Sequence, residues 1–228
     1  MAQHDGSDDG ALHDVNDDSG NNGGGADDVL RGGDADDRLT ARAGDDHMAG
    51  GRGTDTAVFH GHRDAYTITR VNDDTLHVSG QDGQDMLQNI ERLQFDDHSV
   101  AFDLSSGQAG DDTVRLVGAA FGANAVHERP DYVGAGLQLF DSKHSLHDVA
   151  ELAAKAMGVD DSTFIDTVYK NVVGTLPTHE GHDFYESLLQ DHGGTMSRGD
   201  LLALAAGTDA NAQQIDLVGL QHSGVDYV

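Results

Sequence analysis

The sequence predicts a mixed fold of two domains, a β-domain built from short repeats followed by an all-α domain that is itself duplicated. Three observations carry this prediction. Residues 23–58 repeat a nine-residue frame. Residues 59–106 alternate β-branched and aromatic stretches with turn signals. From about residue 112 the apolar residues recur with the 3.6-residue period of a helix.

The repeat frame is Gly-Gly-x-Gly-x-Asp-x-apolar-x, and four imperfect copies follow one another in tandem, with Ala26 and Ala35 in place of the glycine at position four and Ala41 and Arg42 in place of the Gly-Gly pair of the third copy. The sixth-position residues are Asp28, Asp37, Asp46 and Asp55, and the eighth-position residues are Leu30, Leu39, Met48 and Ala57. Residues seven to nine of each copy read as a very short strand whose apolar side chain points inward. Because the aspartate and the apolar residue keep their phase through all four copies, a repeat structure is favoured over a disordered Asp/Gly linker.

The frame has the chemistry of a calcium site. Glycines allow positive φ and bring backbone carbonyls close to an ion, and Ca²⁺ takes six to eight oxygen ligands. If two repeats complete one coil, Asp28 stacks beside Asp46 and Asp37 beside Asp55, so we expect two or more Ca²⁺ ions between the loops. Trivalent lanthanides and other hard cations remain alternatives. Besides the four aspartates, the expected ligand-bearing loop residues are Gly24, Ala26, Gly33, Ala35, Gly44, Gly51 and Gly53.

A further segment keeps most of the frame. Residues 80–88 place Asp85 at position six and Leu87 at position eight, and they depart from the frame only at Gln81. They therefore predict one more, weaker site with Asp85 as a ligand. Residues 107–115 match loosely but run into a helical pattern, so we do not count them as a repeat.

Composition restricts the partners. The chain has 13 basic and 41 acidic residues and a net charge of −28. It will therefore not bind nucleic acid or an anionic membrane through general electrostatic attraction. Metal cations are the natural partners. The absence of cysteine excludes disulfides and thiolate metal sites. No apolar run reaches transmembrane length, so no membrane insertion is expected. Residues 1–22 lack the pattern of a signal peptide, and they predict an acidic leader, disordered or a degenerate repeat.

Residues 59–106 predict antiparallel strands that cap the end of the repeat domain, where an open edge would invite pairing. Beyond them, residues 112–220 predict a duplicated α-helical domain, with an offset of 51 at its start and 52 at its end. Pro130 should start one helix. Ser162 should cap another. The expected capping boxes are Ser145 with Asp148 and Ser197 with Asp200.

Histidines and catalytic motifs give no enzyme site. His144 and His147, like His179 and His182, lie three residues apart, and we interpret them as solvated surface histidines rather than a transition-metal site. His179 and His182 are also one residue too close for the zinc-protease HExxH spacing. No nucleophile–base or acid–base constellation is found. The sequence therefore predicts no catalytic or organic-cofactor residues and a protein that is not an enzyme.

The four repeats resemble RTX repeats, the hemolysin-type calcium-binding nonapeptides, and the segment IERLQFDDHSVAFD is similar to the one that follows such repeats in serralysin-type proteins. The resemblance implies a Ca²⁺-bound parallel β-roll with an antiparallel β cap. The stretches YKNVVGTLPTHEGHDFY and RLVGAAFGANAVHERPDYVGAGL resemble a duplicated helical domain of unknown function that often follows RTX repeats in secreted and surface-layer-like bacterial proteins.

These resemblances imply export by the type I secretion machinery of a Gram-negative bacterium and a place outside the cell or on its surface. Residues 221–228 end in GVDYV, which is similar to some C-terminal secretion signals. The expected function is a calcium-folded protein that presents its helical domain to cell-surface polysaccharide or surface-layer components. Two alternatives remain open: the folding and secretion module of a secreted enzyme, and a metal-scavenging or buffering protein.

Overall fold

The structure, a computed structural model, describes residues 13–14, 21–22 and 25–228. The chain divides into a β-rich unit that extends to Phe102 and includes His222–Gly224, and a helical unit that comprises Asp103–Gln221 and Val225–Val228. Most of the predicted acidic leader, residues 1–22, lies outside the described residues. No helix in the described part of the chain is long and apolar enough to cross a membrane.

The repeats form short strands that pair in parallel with the strand two repeats away. Leu30 pairs with Met48 and Leu39 with Ala57, so two nonapeptides complete one coil. β1 pairs with β3 and β2 with β4 in the same sense. The strands are β1 (His13–Asp14), β2 (Asn21–Asn22), β3 (Val29–Gly33), β4 (Arg38–Thr40), β5 (His47–Gly51) and β6 (Thr56–Val58).

Five further strands complete the β-rich unit: β7 (Thr67–Asn72), β8 (Thr75–Gly80), β9 (Gly83–Gln88), β10 (Arg92–Gln94) and β11 (Ser99–Ala101). A short 3₁₀ turn at Arg63–Ala65 precedes them. One sheet has the order β1-β3-β5-β9-β8-β7, and the other contains β11, β10, β6, β4 and β2 in that order.

The predicted cap over residues 59–106 contains parallel as well as antiparallel pairing. β7, β8 and β9 are antiparallel to one another, as are β10 and β11. However, β9 also pairs in parallel with β5, and β10 pairs in parallel with β6. β9 and β10 therefore continue the parallel stack, because each carries an apolar residue, Leu87 or Leu93, in register with the eighth-position residue of the coil before it.

The core of the β-rich unit is built from these eighth-position side chains. Six of them are at most 1% exposed and belong to one buried cluster: Leu30, Leu39, Met48, Ala57, Leu87 and Leu93. Phe59, Tyr66 and Phe95 join the same cluster, with ring centroids 5.0 to 5.5 Å apart. The side chains of the repeats alone would form only a small core. The residues inserted between β6 and β9 enlarge it, because they add aromatic side chains.

The helical unit contains α1 (Ala109–Phe121), α2 (Ala123–Glu128), α3 (Pro130–Asp141), α4 (Leu146–Met157), α5 (Asp161–Val173), α6 (His179–Leu188), α7 (Arg198–Ala206) and α8 (Asp209–Gln214). A 3₁₀ turn covers Gln190–His192, and α9 (Leu217–Ser223) and a last strand, β12 (Val225–Tyr227), follow α8. α1 begins inside residues 107–115, which confirms that this stretch is not a repeat.

Helix starts follow the sequence closely. Pro130 opens α3. Both predicted capping boxes are present, one at Ser145 and one at Ser197. The predicted cap at Ser162 is wrong, because the carboxylate of Asp160 accepts the hydrogen bond of the Thr163 N–H at 2.8 Å and starts α5 earlier.

The duplication is visible in the helices. α1 and α5 each have 13 residues. α5 and the glycine at its C-terminus lie 52 residues after α1 and the glycine at its C-terminus. α7 and its N-capping serine lie 52 residues after the start of α4 and its N-capping serine. The offset is thus 52 from the start rather than the predicted 51. Each half has a mainly apolar cleft, of about 270 Å³ in the first half and about 260 Å³ in the second. Eight lining positions correspond at this offset, among them Leu152 with Leu204 and Ala153 with Ala205.

Candidate metal centre

The sixth-position aspartates form two columns. In one, the backbone N–H of Asp28 donates to Asp46 Oδ1 at 2.9 Å. In the other, the N–H of Asp37 donates to Asp55 Oδ1 at 2.9 Å. Both pairs are 18 residues apart, so the structure brings together the pairs that the repeat spacing predicts.

The first column continues to Asp85. The N–H of Asp46 donates to Asp85 Oδ1 at 2.9 Å, although the two residues are 39 apart. Register explains the contact, because His47 and Met48 of β5 pair in parallel with Met86 and Leu87 of β9. The predicted further repeat at residues 80–88 is therefore stacked directly on the third copy.

The second column ends on a glutamate that sequence reasoning missed. The N–H of Asp55 donates to Glu91 Oε2 at 2.8 Å, and Thr56 and Ala57 pair in parallel with Arg92 and Leu93. A signal was available, since Glu91 and Leu93 keep the two-residue spacing of positions six and eight. It was obscured because Glu91 follows Asp85 by six residues instead of nine and because the preceding turn lacks the glycines of the frame.

These carboxylates are buried, and three of their oxygens have no hydrogen-bond donor among the described residues. Asp46, Asp55 and Asp85 are at most 1% exposed, and the Oδ2 atom of each is buried without a partner. Leaving a charged oxygen in this state is costly, because neither water nor a donor compensates its lost hydration. Each of these aspartates closes a gap between the loops of two successive coils. Each of the three gaps therefore contains a buried carboxylate oxygen whose negative charge is not compensated.

The pKa values agree with that environment. Burial raises the pKa of Asp85 to about 7 and that of Asp55 to about 6, and it also raises the pKa of Asp46. Hydrogen bonds from the backbone of the preceding coil oppose these shifts, whereas neighbouring carboxylates add to them. Burial likewise raises the pKa of Glu91. A bound cation would reverse the effect, since it favours the charged form.

A second, exposed ladder runs along position five of the frame. The N–H groups of Asp45, Thr54 and Gln84 donate to the carboxylates of Asp27, Asp36 and Asp45, respectively, at 2.8 to 2.9 Å. Here each carboxylate reaches the following coil, whereas the sixth-position carboxylates reach the preceding one. Successive loops are thus tied in both directions, which holds the sixth-position oxygens at a fixed spacing.

Glycine is required where successive loops approach most closely. Gly44, Gly53 and Gly83, all at position four, have φ of +141°, +135° and +141°. A Cβ added to any of them would overlap the carbonyl group of the residue one coil earlier, which is Ala26, Ala35 or Gly44. Backbone carbonyl groups therefore lie against the loop of the following coil.

The predicted loop residues fall into three groups. Ala26, Ala35 and Gly44 present carbonyls to the following loop, and so does Gly33, which Gly51 approaches in the same way. Gly51 and Gly53 provide the close approach from the other side. Gly24 lies outside the described residues.

The donor set fits calcium. Carboxylate and carbonyl groups both lie between successive loops, and the buried Oδ2 atoms of Asp46, Asp55 and Asp85 lack donors. Oxygen-only coordination of this kind is preferred by Ca²⁺ and other hard cations over zinc or copper. Fold and site together define a domain of stacked nonapeptides with acidic turns whose oxygen donors suit a hard cation.

Residues 22–57 match the family model of the RTX calcium-binding nonapeptide repeat in four copies. This part of the chain consists of RTX repeats, and RTX nonapeptides bind calcium. The match does not extend to the helical unit.

Other comparisons add little. No curated protein matched the chain. Among solved structures, the chain is similar to the extracellular lipase LipA from Serratia marcescens, with 19% identity and a TM-score of 0.22. The match covers 42% of this chain and 18% of the lipase chain, so the chain spans less than a fifth of that protein's length. A likeness at this level carries no argument about fold or activity.

Proposed function

We propose that the β-rich unit binds Ca²⁺ in the gaps between stacked repeats and that the ions complete a parallel β-roll. The observation that carries this proposal is the set of buried Oδ2 atoms of Asp46, Asp55 and Asp85, which lack hydrogen-bond donors. Calcium supplies the missing positive charge and links loops that are far apart in the chain. Metal binding then contributes directly to the free energy of folding.

Three gaps carry the sites. One lies between the loops of Asp28 and Asp46, the second between those of Asp46 and Asp85, and the third between those of Asp37 and Asp55. Carbonyl oxygens of the loops complete each ligand set. Glu91 closes a fourth gap beside Asp55, where its longer side chain replaces the aspartate of the frame.

Without cations, the same carboxylates oppose folding. Positions five and six of the repeats bring many negative charges together: Asp27, Asp28, Asp36, Asp37, Asp45, Asp46 and Asp55. Their mutual repulsion acts on a small apolar core. Extracellular calcium modules bind with dissociation constants of about 10⁻⁴–10⁻³ M, so such sites fill outside the cell and stay empty at cytosolic calcium levels. The β-rich unit is therefore a switch that folds after export.

Secretion by a type I route from a Gram-negative bacterium is part of this proposal. It is supported by the RTX repeats at residues 22–57 and by the calcium switch, which keeps the β-rich unit unfolded until it meets millimolar calcium. Secretion into medium from a type I-competent host, and its loss in a transporter-deficient one, is the corresponding test.

The helical unit is proposed to recognise cell-surface polysaccharide or surface-layer components. What supports this is the pair of equivalent clefts, each with an aromatic pair beside it: Phe121 and Tyr132 in the first half, and Tyr169 and Tyr185 in the second. Two like clefts on one chain suit a ligand made of repeating units, because bivalent engagement raises avidity. A pull-down with surface polysaccharide, with and without Ca²⁺, tests the proposal, and binding that survives Leu152→Asp and Leu204→Asp together contradicts it.

Calcium titration of the whole chain separates these functions. The proposed switch requires a rise in β-structure by far-UV circular dichroism at about 10⁻⁴–10⁻³ M Ca²⁺. Sub-micromolar affinity without a structural change would instead favour a scavenging or buffering role. The absence of enzymatic activity stays a prediction, and turnover of a polysaccharide or peptide that is lost on a point mutation would contradict it.

A further inference from the structure

A histidine–carboxylate cluster lies in the second half of the helical unit, on residues that are not part of the repeats. Ligand atoms of His182, Asp183 and Glu186 all lie within 4.8 Å of one another. The three residues belong to α6, where His182 and Glu186 are one turn apart and share a face. Neither the repeats nor the clefts use this cluster.

The surroundings of the cluster hold its histidine in place. His182 Nε2 is 2.9 Å from the hydroxyl of Ser162 and 3.9 Å from Asp166 Oδ1, both on α5. The His182 side chain is 18% exposed, whereas Asp166 is 43% exposed. A metal-ligating histidine typically directs its other ring nitrogen to such a partner, which fixes its orientation.

Two further histidines adjoin the carboxylates. His179 Nε2 is 3.4 Å from Asp183 Oδ2, and His192 Nε2 is 3.8 Å from Glu186 Oε1. His179 is 91% exposed and can change rotamer freely, while His192 also contacts Asp161 at 3.0 Å. Three imidazoles therefore surround two carboxylates on one surface, which provides a nitrogen-rich donor set.

We propose that His182, Asp183 and Glu186 bind a divalent transition-metal ion of the zinc class, with His179 as a further ligand and Ser162 as the residue that orients His182. One imidazole nitrogen and two carboxylates supply three ligands of a tetrahedral zinc site, and the imidazole of His179 supplies the fourth. Imidazole favours zinc, copper and nickel over calcium, whereas the all-oxygen gaps of the repeats have the opposite preference. This proposal replaces the interpretation of His179 and His182 as solvated surface histidines, and the chain then has two separate metal sites that differ in ligand type.

The alternative explanation is a network of ion pairs that needs no metal. It predicts that the cluster loses nothing when zinc is withheld and gains nothing when zinc is added. The two explanations differ in zinc stoichiometry and in the dependence of zinc affinity on single side chains.

The test uses the full chain saturated with Ca²⁺, titrated with Zn²⁺ by calorimetry and with Co²⁺ by visible absorption. The expected result is one ion per chain outside the repeats. Ser162→Ala should weaken zinc binding by about 10–100-fold, as loss of an orienting partner does, and His182→Ala should weaken it more. His127→Ala, an exposed histidine on α2, is the matched control and should leave the affinity unchanged.

Three outcomes would overturn the proposal. Zinc affinity could be the same in His182→Ala as in the parent chain, or it could fall equally in His127→Ala. Zinc binding could also disappear in Asp46→Asn and Asp85→Asn while His182→Ala retains it, which would place the ion in the repeats. Circular dichroism of each variant shows whether the helices remain folded, so that a loss of binding is not a loss of structure.

Discussion

Asp46 and Asp85 are joined by a hydrogen bond of 2.9 Å from backbone to carboxylate across 39 residues of chain. That separation is 21 residues longer than the 18 between Asp28 and Asp46 in the same column. The additional residues form β7 and most of β8, an antiparallel excursion that leaves the stack after β6 and returns to it at β9. The acidic column thus survives an insertion because the backbone register of β9 on β5 is restored.

The same substitution, aspartate to asparagine, should remove different numbers of Ca²⁺ ions at different places in this column. Asp46 borders two gaps, one towards Asp28 and one towards Asp85, whereas Asp85 closes only the second. Asp46→Asn should therefore reduce the number of bound Ca²⁺ ions by two, and Asp85→Asn should reduce it by one. Calorimetric titration measures both stoichiometries.

The control for these variants is Asp34→Asn, at the exposed third position of the second copy. It removes the same charge without touching a column, so its stoichiometry should equal that of the parent chain. If Asp34→Asn and Asp46→Asn lose the same number of ions, general charge rather than the column determines binding.

Exchanging glycine and alanine at position four of the frame should destabilise the fold by different amounts in different repeats. Gly53 has φ of +135°, and an added Cβ would lie 2.7 Å from the carbonyl carbon of Ala35. Gly53→Ala should lower the free energy of unfolding in saturating Ca²⁺ by about 1–3 kcal/mol, the cost of a strained backbone. Denaturant unfolding measured at fixed Ca²⁺ gives this value.

Ala35→Gly is the matched control at the same position of another repeat. Ala35 is exposed and does not have positive φ, so the change acts mainly through the entropy of the unfolded chain and should cost less than about 1 kcal/mol. An Ala35→Gly variant that is destabilised as much as Gly53→Ala would show that loop stacking does not set the requirement.

Calcium binding should weaken as pH falls from about 7 towards 5. In stacked repeats whose sites are not all filled, burial raises the pKa of Asp85 to about 7 and that of Asp55 to about 6. Protons then compete with the cation for the same buried oxygens. Calorimetry at a series of pH values measures the effect, and Asp85→Asn should remove the part that begins near pH 7.

The metal-free chain should show the opposite dependence. An aspartate with a raised pKa in the folded state binds a proton more readily when folded, so its contribution to stability is full below the unfolded pKa of about 3.9. That contribution is lost as pH rises through 6 and 7. In EDTA, the β-rich unit should therefore be more structured at pH 4 than at pH 8 by circular dichroism, and the reverse order would contradict the burial of these carboxylates.

The sequence could predict those parts of the site that depend on a fixed period. Asp28 faces Asp46 and Asp37 faces Asp55 because an unbroken nine-residue frame determines the register of parallel strands. Asp85 could be found from its own repeat. Its separation from Asp46 along the chain could not be predicted, because the repeat does not determine the length of the antiparallel insertion between them. The continuation of the parallel stack into β9 follows from the predicted repeat at residues 80–88, whereas its continuation into β10 was missed because the turn before Glu91 departs from the nine-residue frame.

The other differences between prediction and structure arise from competition between neighbouring capping residues and from a turn that is shorter than the repeat frame. Ser162 is a good capping residue, but Asp160 lies two positions earlier and satisfies the Thr163 N–H first. Glu91 was missed because its turn is three residues shorter than the frame and contains no glycine pair. The cluster at His182 depends on the packing of α5 against α6, which spacing along one helix does not reveal.

Hydrogen–deuterium exchange of the full chain, with EDTA and with millimolar Ca²⁺, tests whether calcium drives the folding of the β-rich unit. We expect the amides of β3 to β10 to exchange freely in EDTA and to become protected when Ca²⁺ is added. Amides of α1, α4, α5 and α7 should be protected in both conditions, because their caps and apolar faces need no metal. Protection of β3 to β10 already present in EDTA, or no change at millimolar Ca²⁺, would contradict calcium-driven folding.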